Sequence, residues 1–395
     1  MAARVKLYDL VIVGGGLVGW LLAKALAGTP LKIALIEAKS PEVQVDGGLD
    51  QRCLALSFGT HQYLQQLDIW SAIAEHASVI EHIHVSDQGH FGMQRLSAQK
   101  QGLPFLGQVM PICYLQDALM QLLPNLTVYQ PAQVTALEQG KDRVRLQLDQ
   151  DGEQKALTAK CVVAADGANS PIRGWLSIEA TEKDYEQMAV VGNLALARAH
   201  GHTAYERFTP EGPIAVLPQP GLQAALIWCL SPEQAKAKLA LPDDEFLKAI
   251  QHAFGYRVGR FIKKGRFGMY PLKLTESQQL TKDRVVLFGN AAHSLHPVAG
   301  QGFNLSVRDV KAFAALLIEA NEQQQDIGSE ALLSRYVDLR LKDQRRTTRI
   351  TDLLVEGFGH KALPIAGVRG AVQHVMGRVP AAQRAFARMM MGRVK

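Results

Sequence analysis

Tyr8-Asp9-Leu10-Val11-Ile12-Val13-Gly14-Gly15-Gly16-Leu17-Val18-Gly19 governs how the rest of the chain is read. An apolar run of strand length enters a glycine turn, and residues 20–27 then have helical composition. Leu31-Lys32-Ile33-Ala34-Leu35-Ile36-Glu37 follows as a second strand ending on an acid, which completes a βαβ unit. Gly14, Gly16 and Gly19 fit G-x-G-x-x-G. The first glycine permits the tight turn, the second lets backbone approach a diphosphate, and the third packs helix on strand. Glu37, 23 residues beyond Gly14, can accept both hydroxyls of an adenosine ribose, which needs an acceptor-only side chain. A ligand-free turn beside a solvated glutamate is the alternative, and the conjunction of strand, helix and acid disfavours it. The loop alone leaves FAD and NAD both open.

Working outward, residues 41–51 are polar loop and residues 57–76 helical. Residues 127–165 alternate in short runs such as Arg143-Val144-Arg145-Leu146-Gln147-Leu148, turn at Asp151-Gly152 and end on Cys161-Val162-Val163-Ala164-Ala165. That is an antiparallel meander feeding a buried strand. Residues 178–264 mix strand-like and helical pieces. A buried strand returns at Arg284-Val285-Val286-Leu287-Phe288, followed by a long helix over 304–321. The expected fold is α/β: a Rossmann-like domain of parallel sheet plus meander, assembled from 1–78, 106–177 and 265–350. It is interleaved with a mixed-sheet substrate domain from 79–105 and 178–264, and residues 351–395 form a basic helical segment.

The chain has 395 residues and 47% apolar content, enough for more than one core, which excludes disordered and collagen-like classes. Its 4 cysteines stand singly, without zinc spacing, so a disulfide scaffold and a metal site are not expected and a reducing, cytoplasmic setting is. Neither a signal peptide nor a membrane-spanning apolar run is recognisable. The net charge of +6 is unevenly placed. Residues 335–395 hold 13 Lys+Arg against 4 Asp+Glu, leaving the remainder about −3. This argues against a nucleic-acid footprint over the body and puts any anionic partner at the C-terminal end.

Two more segments carry chemistry. Asp166-Gly167-Ala168-Asn169-Ser170-Pro171-Ile172-Arg173 follows the meander strand, where Asp-Gly alone would signify only a turn. Gly289-Asn290-Ala291-Ala292-His293-Ser294-Leu295-His296-Pro297-Val298-Ala299-Gly300-Gln301-Gly302-Phe303-Asn304 runs from a strand through a proline-set loop into a helix N-terminus. Such an element can hold an extended diphosphate and ribityl chain and aim N–H groups at an electron-rich ring. His293 and His296 are read first as backbone- or cap-bonding residues of a polar turn, ahead of any proton-transfer role.

In order and spacing the three segments resemble the class A flavoprotein aromatic hydroxylases: a glycine loop, D-G-x-x-S-x-x-R, then G-D-A-A-H-x-x-x-P-x-x-G-x-G-x-N. Leu49-Asp50-Gln51-Arg52-Cys53-Leu54-Ala55-Leu56 and Tyr205-Glu206-Arg207-Phe208-Thr209 look like the ubiquinone-biosynthesis subgroup, nearest to the hydroxylases of 2-polyprenyl-6-methoxyphenols. The likeness spans about residues 9–351. It implies FAD as cofactor, with Gly14, Gly16, Leu17 and Val18 at its diphosphate, Glu37 at the ribose and the Val134 backbone at the adenine. Arg52 would contact the diphosphate or ribityl region and Gln108 the ribityl region, Asp166 would help place FAD while its motif also serves NAD(P)H, and Pro297, Gly300, Gly302 and Asn304 would line the isoalloxazine. Asn290 departs from the pattern, standing where the family carries Asp; an amide keeps one acceptor but loses the charge, which predicts weaker FAD binding. Ser306 replaces a common glycine.

The resemblance further implies that NAD(P)H reduces the flavin, that O₂ adds at its C4a, and that the hydroperoxide hydroxylates a polyprenylated methoxyphenol. A phenol activates its own ortho and para carbons, so no side-chain base is assigned. Such a substrate partitions into bilayers. Ile365, Val368, Val372, Val375, Met376 and Val379, followed by methionines among arginines, recur near helical spacing and suit a peripheral membrane surface or a partner of a biosynthetic complex, or else an ordinary covering helix. A flavin halogenase is disfavoured because Trp20, Trp70, Trp175 and Trp228 are far apart. A flavin-dependent reductase of an isoprenoid and a catalytically silent flavin-binding subunit remain as alternatives.

Overall fold

The structure is a computed structural model and describes residues 6–40, 49–88, 93–297 and 300–359, without the side chains of 354 and 356–359. Its first body is an eight-stranded sheet. The strand Lys6–Val13 lies at its centre, paired in parallel with Ile33–Ile36 on one side and Glu153–Ala164 on the other. Thr127–Tyr129 extends one flank and Val285–Leu287 the other, both parallel. Leu10, Val11 and Ile12 are completely buried, as expected of a parallel strand covered on both faces. The meander Gln133–Gln139 and Val144–Gln150 joins Glu153–Ala164 in antiparallel register.

This arrangement positions the site. Val13 is in register with Ile36 and with Ala164, and Ala164 with Leu287. The glycine loop, Glu37, the Asp166 turn and the Gly289 turn therefore leave neighbouring strands at the same, carboxyl-terminal edge, where open α/β sheets bind ligands. The helices Leu17–Ala25, Gln301–Glu322 and Glu330–Gly359 back this edge, and Phe288, Phe313 and Tyr336 stack beneath it.

The second body is a nine-stranded sheet around Ala180–Leu196, a 17-residue strand. Gly268–Ser277 and Phe261–Lys264 pair with it, as does Gln223–Leu230, which leads outward through Pro213–Gln219, Thr203–Phe208, His82–Asp87 and Met93–Ser97. The helices Pro232–Leu239 and Asp243–Phe254 cover its outer face, where Val190, Leu226 and Trp228 meet Phe246, Ile250 and Phe254. A small sheet of Cys53–Ser57, Gly107–Pro111 and Ser78–Ile80 connects the two bodies.

Three differences from the sequence reading have physical reasons. The stretch 57–76 is not one helix but Phe58–Gln66, Trp70–Ile73 and a 3₁₀ turn Ala74–His76, because Asp68 takes a left-handed φ of 57°. The nine-stranded sheet also takes up Gly268–Ser277 and His293–Ser294, beyond residue 264. Helix Glu330–Gly359 runs across residue 350 unbroken. The apolar positions after residue 360 lie outside the described residues.

Candidate functional site

The glycines of the first loop do different work. Gly14 has φ 114°, and a Cβ there would collide with the Ala165 carbonyl. A Cβ on Gly19 would strike the Gly14 carbonyl, so these two glycines let helix Leu17–Ala25 rest on the strand ends. Gly16 is the opposite case: a Cβ there would meet nothing within 4 Å, leaving open space ahead of the helix N-terminus where an anion is favoured. Val18 points to the third motif, 3.4 Å from where a Gly289 Cβ would stand.

Glu37 lies at the same edge and uses both oxygens on backbone. Oε2 accepts from Gly15 N (2.6 Å) and Oε1 from Lys39 N (2.8 Å). Its own backbone bonds Tyr129 O and Ala132 N at 2.9 and 2.8 Å, which brings the buried Val134 strand alongside. The carboxylate thus holds the turn.

The second motif is a stitched strand–turn–helix. Asp166 Oδ2 accepts from Ile172 N at 3.4 Å, Ser170 caps Arg173 N at 3.0 Å, and the buried Arg173 guanidinium donates to Ala168 O and Ala291 O at 2.9 and 3.0 Å. The last bond ties the second motif to the third. Burial pushes the Asp166 carboxyl above its ordinary value, against opposing hydrogen bonds and the Arg173 charge, and its Oδ1 has no hydrogen-bond partner.

In the third motif Gly289 takes φ 56° and Asn290 is exposed. Gly300, at φ 58°, caps helix Gln301–Glu322 and donates to Pro297 O at 3.0 Å. Gly302 opens on empty space. Asn304 is buried, and its amide is saturated by protein: Nδ2 donates to Ala55 O and Gly300 O (2.9 and 2.6 Å), while Oδ1 accepts from Ser57 N and Thr60 Oγ1 (2.8 and 2.7 Å). Its part is to fix the loop against strand Cys53–Ser57. Arg52 is exposed beside the Tyr270 ring, and the Gln108 Oε1 is buried without a partner.

The two histidines are structural by geometry. His293 Nε2 lies 2.8 Å from Asp309 Oδ2, and Arg340 Nε donates to Asp309 Oδ1 at 2.6 Å. Arg340 continues to Asp343, which also accepts from Arg308. His296 is held edge-on to Tyr185, with ring centroids 5.2 Å apart. Burial lowers its pKa to about 4, against the pull of Asp352, so it is neutral at working pH.

Open space at Gly16 and Gly302, two helix N-termini and an orphaned Asp166 oxygen at the carboxyl-terminal edge of the eight-stranded sheet, with an orphaned Gln108 oxygen on the small connecting sheet, fit an extended flavin dinucleotide. The family described as FAD binding domain matches residues 8–351. The chain belongs to that family. It is an FAD-dependent monooxygenase, of a kind that draws electrons from NAD(P)H. It is 34% identical to the ubiquinone hydroxylase UbiL of Rhodospirillum rubrum, over 99% of this chain and 91% of that protein. It is 30% identical to the 3-demethoxyubiquinol 3-hydroxylase of Escherichia coli, over 91% of this chain and 92% of that one. The fold is shared with p-nitrophenol 4-monooxygenase PnpA from Pseudomonas putida, at TM-score 0.79 and 19% identity over 99% of this chain and 100% of that one.

Residues without an expected role complete the site. Asn193, on the inner face of the nine-stranded sheet, donates to Leu49 O and Gln51 O and accepts from Gln219, which also reaches Cys53 Sγ at 3.0 Å. This polar clamp seats the sheet on the segment bearing Arg52. A lone Asn amid Gly192 and Leu194 gives no local signal, because the Leu49 and Gln51 carbonyls it bonds lie over 140 residues away.

Proposed function

We propose that this protein hydroxylates the aromatic ring of a prenylated methoxyphenol in ubiquinone biosynthesis. The observation that carries the reading is the convergence of three motifs on one strand edge, opposite a largely apolar sheet face. Similarity along nearly the whole chain to hydroxylases of ubiquinone precursors supports the substrate class.

In this reading Gly14, Gly16, Leu17 and Val18 hold the FAD diphosphate, Glu37 the ribose, and the Val134 backbone the adenine. Arg52, Gln108, Asp166 and Asn290 contact the ribityl and diphosphate stretch. Pro297, Gly300 and Gly302 face the isoalloxazine, with Asn304 positioning them. Bound FAD, reduced by NAD(P)H, activates O₂ and supplies an electrophilic oxygen atom. The chain binds the phenol, orients it and excludes water, through a body built from residues 1–78, 106–177 and 265–350 facing one built from 79–105 and 178–264. The basic segment 351–395 supplies a docking surface for the membrane that holds so apolar a substrate, or for a biosynthetic complex at the cytoplasmic face. Among the described residues no helix is long and apolar enough to cross a membrane.

Turnover of a short-tailed 2-prenyl-6-methoxyphenol under ¹⁸O₂ tests the reading. The expected product carries one labelled ring oxygen, with phenol-dependent NAD(P)H oxidation. Reduction of the prenyl chain without label would establish the reductase alternative instead.

A further inference from the structure

The inner face of the nine-stranded sheet contains a row unlike its neighbours. Register places Val191 opposite Ile227, Ile227 opposite Ala215, Ala215 opposite Glu206, and Glu206 opposite Val85. All five side chains keep partial accessibility, although Val190, Leu226, Ile214 and Val216 on the other face are sealed. The next row on the inner face is sealed at Asn193, Ala225 and Ala204 and half-open at Leu217 and Ile83; Asn193 is clamped to the Arg52 segment, and Ala204 packs with Phe58 and Val109. The row that holds Glu206, half-open at every position, lines a slot beside these sealed contacts. Residues 295–297 border it too: His296 meets Tyr185 edge-on, and Tyr185 packs on the cluster of Ala189, Cys229 and Leu272 with Val191 and Ile227.

Glu206 is the only carboxylate in this row. It is enclosed by protein yet retains open surface, as a group lining an internal slot does. No described residue hydrogen-bonds or ion-pairs with it. The arginines of its own strand pair, Arg207 and Arg95, lie on the opposite face by strand alternation.

We propose that Glu206 is a catalytic residue of this monooxygenase, accepting the hydroxyl hydrogen bond of a bound phenol and then its proton. The proposal rests on the hydroxylase reading. As the oxygen atom is delivered, the phenol O–H bond breaks, the proton passes to a Glu206 oxygen, and the electron pair stays on the phenol oxygen. That pair enters the ring and strengthens the ortho or para carbon as a nucleophile. That carbon would take one oxygen of the O₂ that bound FAD activates as the O–O bond breaks and the second oxygen leaves with that bond's electron pair; when the ring regains aromaticity, the carbon's proton goes to this second oxygen, which departs as water, and the Glu206 proton returns to the phenol oxygen. A carboxylate among Val191, Ile227, Ala215 and Val85 is desolvated, and burial raises its pKa to about 7, close to the optimum for a base at neutral pH. The titratable and charged groups on its face are Cys229, whose thiol burial holds protonated, Asp87 on the adjacent strand, Tyr270 opposite Ala189 with the Arg52 guanidinium over its ring, and Tyr185 with neutral His296 across the slot.

The test compares the FAD-loaded parent with Glu206→Gln and Glu206→Asp, on 2-prenyl-6-methoxyphenol and on ring-fluorinated analogues that are already ionised at the assay pH. In Glu206→Gln, kcat for the unfluorinated phenol should fall roughly 10²–10⁴-fold, with flavin absorbance unchanged and phenol Kd raised by less than about tenfold, the worth of one weakened hydrogen bond. The loss should shrink to within about tenfold for the ionised analogues, which need no base. The acid limb near pH 7 in the parent profile should vanish in Glu206→Gln and persist in Glu206→Asp. Equal slowing of ionised and neutral phenols, or an unchanged acid limb in Glu206→Gln, overturns the role of Glu206 while leaving the hydroxylase reading intact. A flavin-loaded parent that puts no ¹⁸O into any of these phenols overturns both.

Discussion

Two carboxylates enclosed by the protein, one on each side of the proposed flavin site, are treated in opposite ways. Asp309, under the third motif, has each oxygen occupied, by Arg340 at 2.6 Å and His293 at 2.8 Å. Burial would raise its pKa, but the His293 hydrogen bond and the Arg340 charge outweigh that and hold it below the ordinary value. Glu206, on the facing sheet, has no such partner, and burial alone lifts it to about 7. Of these two enclosed carboxylates, the protein neutralises Asp309 with a cation and leaves Glu206 without one. A paired buried charge is framework, whereas an unpaired one costs stability and is retained where its proton affinity is used.

The largest effect should come from breaking the framework side. Asp309→Ala leaves Arg340 and His293 buried without their shared acceptor, and should cost about 3–5 kcal/mol by urea unfolding of the FAD-loaded protein. The sign with pH follows from the lowered pKa. The contribution of Asp309 is complete above the unfolded value, about 3.9, and disappears only as pH falls through the still lower folded value, so the deficit should be constant from pH 6 to 8. A cost below about 1 kcal/mol would remove the contrast with Glu206.

The opposite sign is expected on the other side. The folded protein holds the Glu206 proton up to about pH 7, the unfolded chain only to about 4.3. The parent therefore loses stability as pH rises between those values, and Glu206→Gln does not. The variant should match the parent at pH 4 and exceed it by about 1–3 kcal/mol at pH 8 in the same urea assay. A variant less stable than the parent at pH 8 would mean that the carboxylate is paired after all.

What the sequence made legible follows the range of the forces involved. The strand–turn–helix at Gly14 is encoded within a dozen residues, and the saturated strand Leu10–Ile12 and the meander at 143–148 show their periods locally. The order of strands is not local: Lys6–Val13 lies beside Glu153–Ala164 because both bury two apolar faces, a choice made across about 150 residues. The strand Ala180–Leu196 was obscured by its charged first half, Glu182-Lys183-Asp184, which sits at an exposed end. Among site residues, Asn304 was found by its motif, yet its amide proves to be committed wholly to protein. Glu206 belongs to Tyr205-Glu206-Arg207-Phe208, a stretch whose local pattern assigns it no role. Its signal was an acid at an inward strand position between Ala204 and Phe208, both buried, where alternation calls for an apolar side chain.

Asn290 supplies the smallest and finest test of the comparison, since it asks what a carboxylate is worth where burial does not decide. The hydroxylase motif that this segment resembles has Asp at this point, and here an amide stands on the exposed turn Gly289–Ala291. Gly289 abuts Val18 of the glycine loop on one side, and the Ala291 carbonyl receives Arg173 on the other. The turn is therefore held from both directions, and Asn290→Asp should change the acceptor without moving it. A charged acceptor bonds hydroxyls more strongly than an amide, but solvent screens an exposed charge to about 0.2–1 kcal/mol. FAD should bind the deflavinated variant about two- to fivefold more tightly than the parent, read from quenching of flavin fluorescence. A gain of a hundredfold would show that charge acts as strongly at this open turn as in the enclosed positions, and would break the rule that enclosure separates Asp309 and Glu206 from the rest of the site.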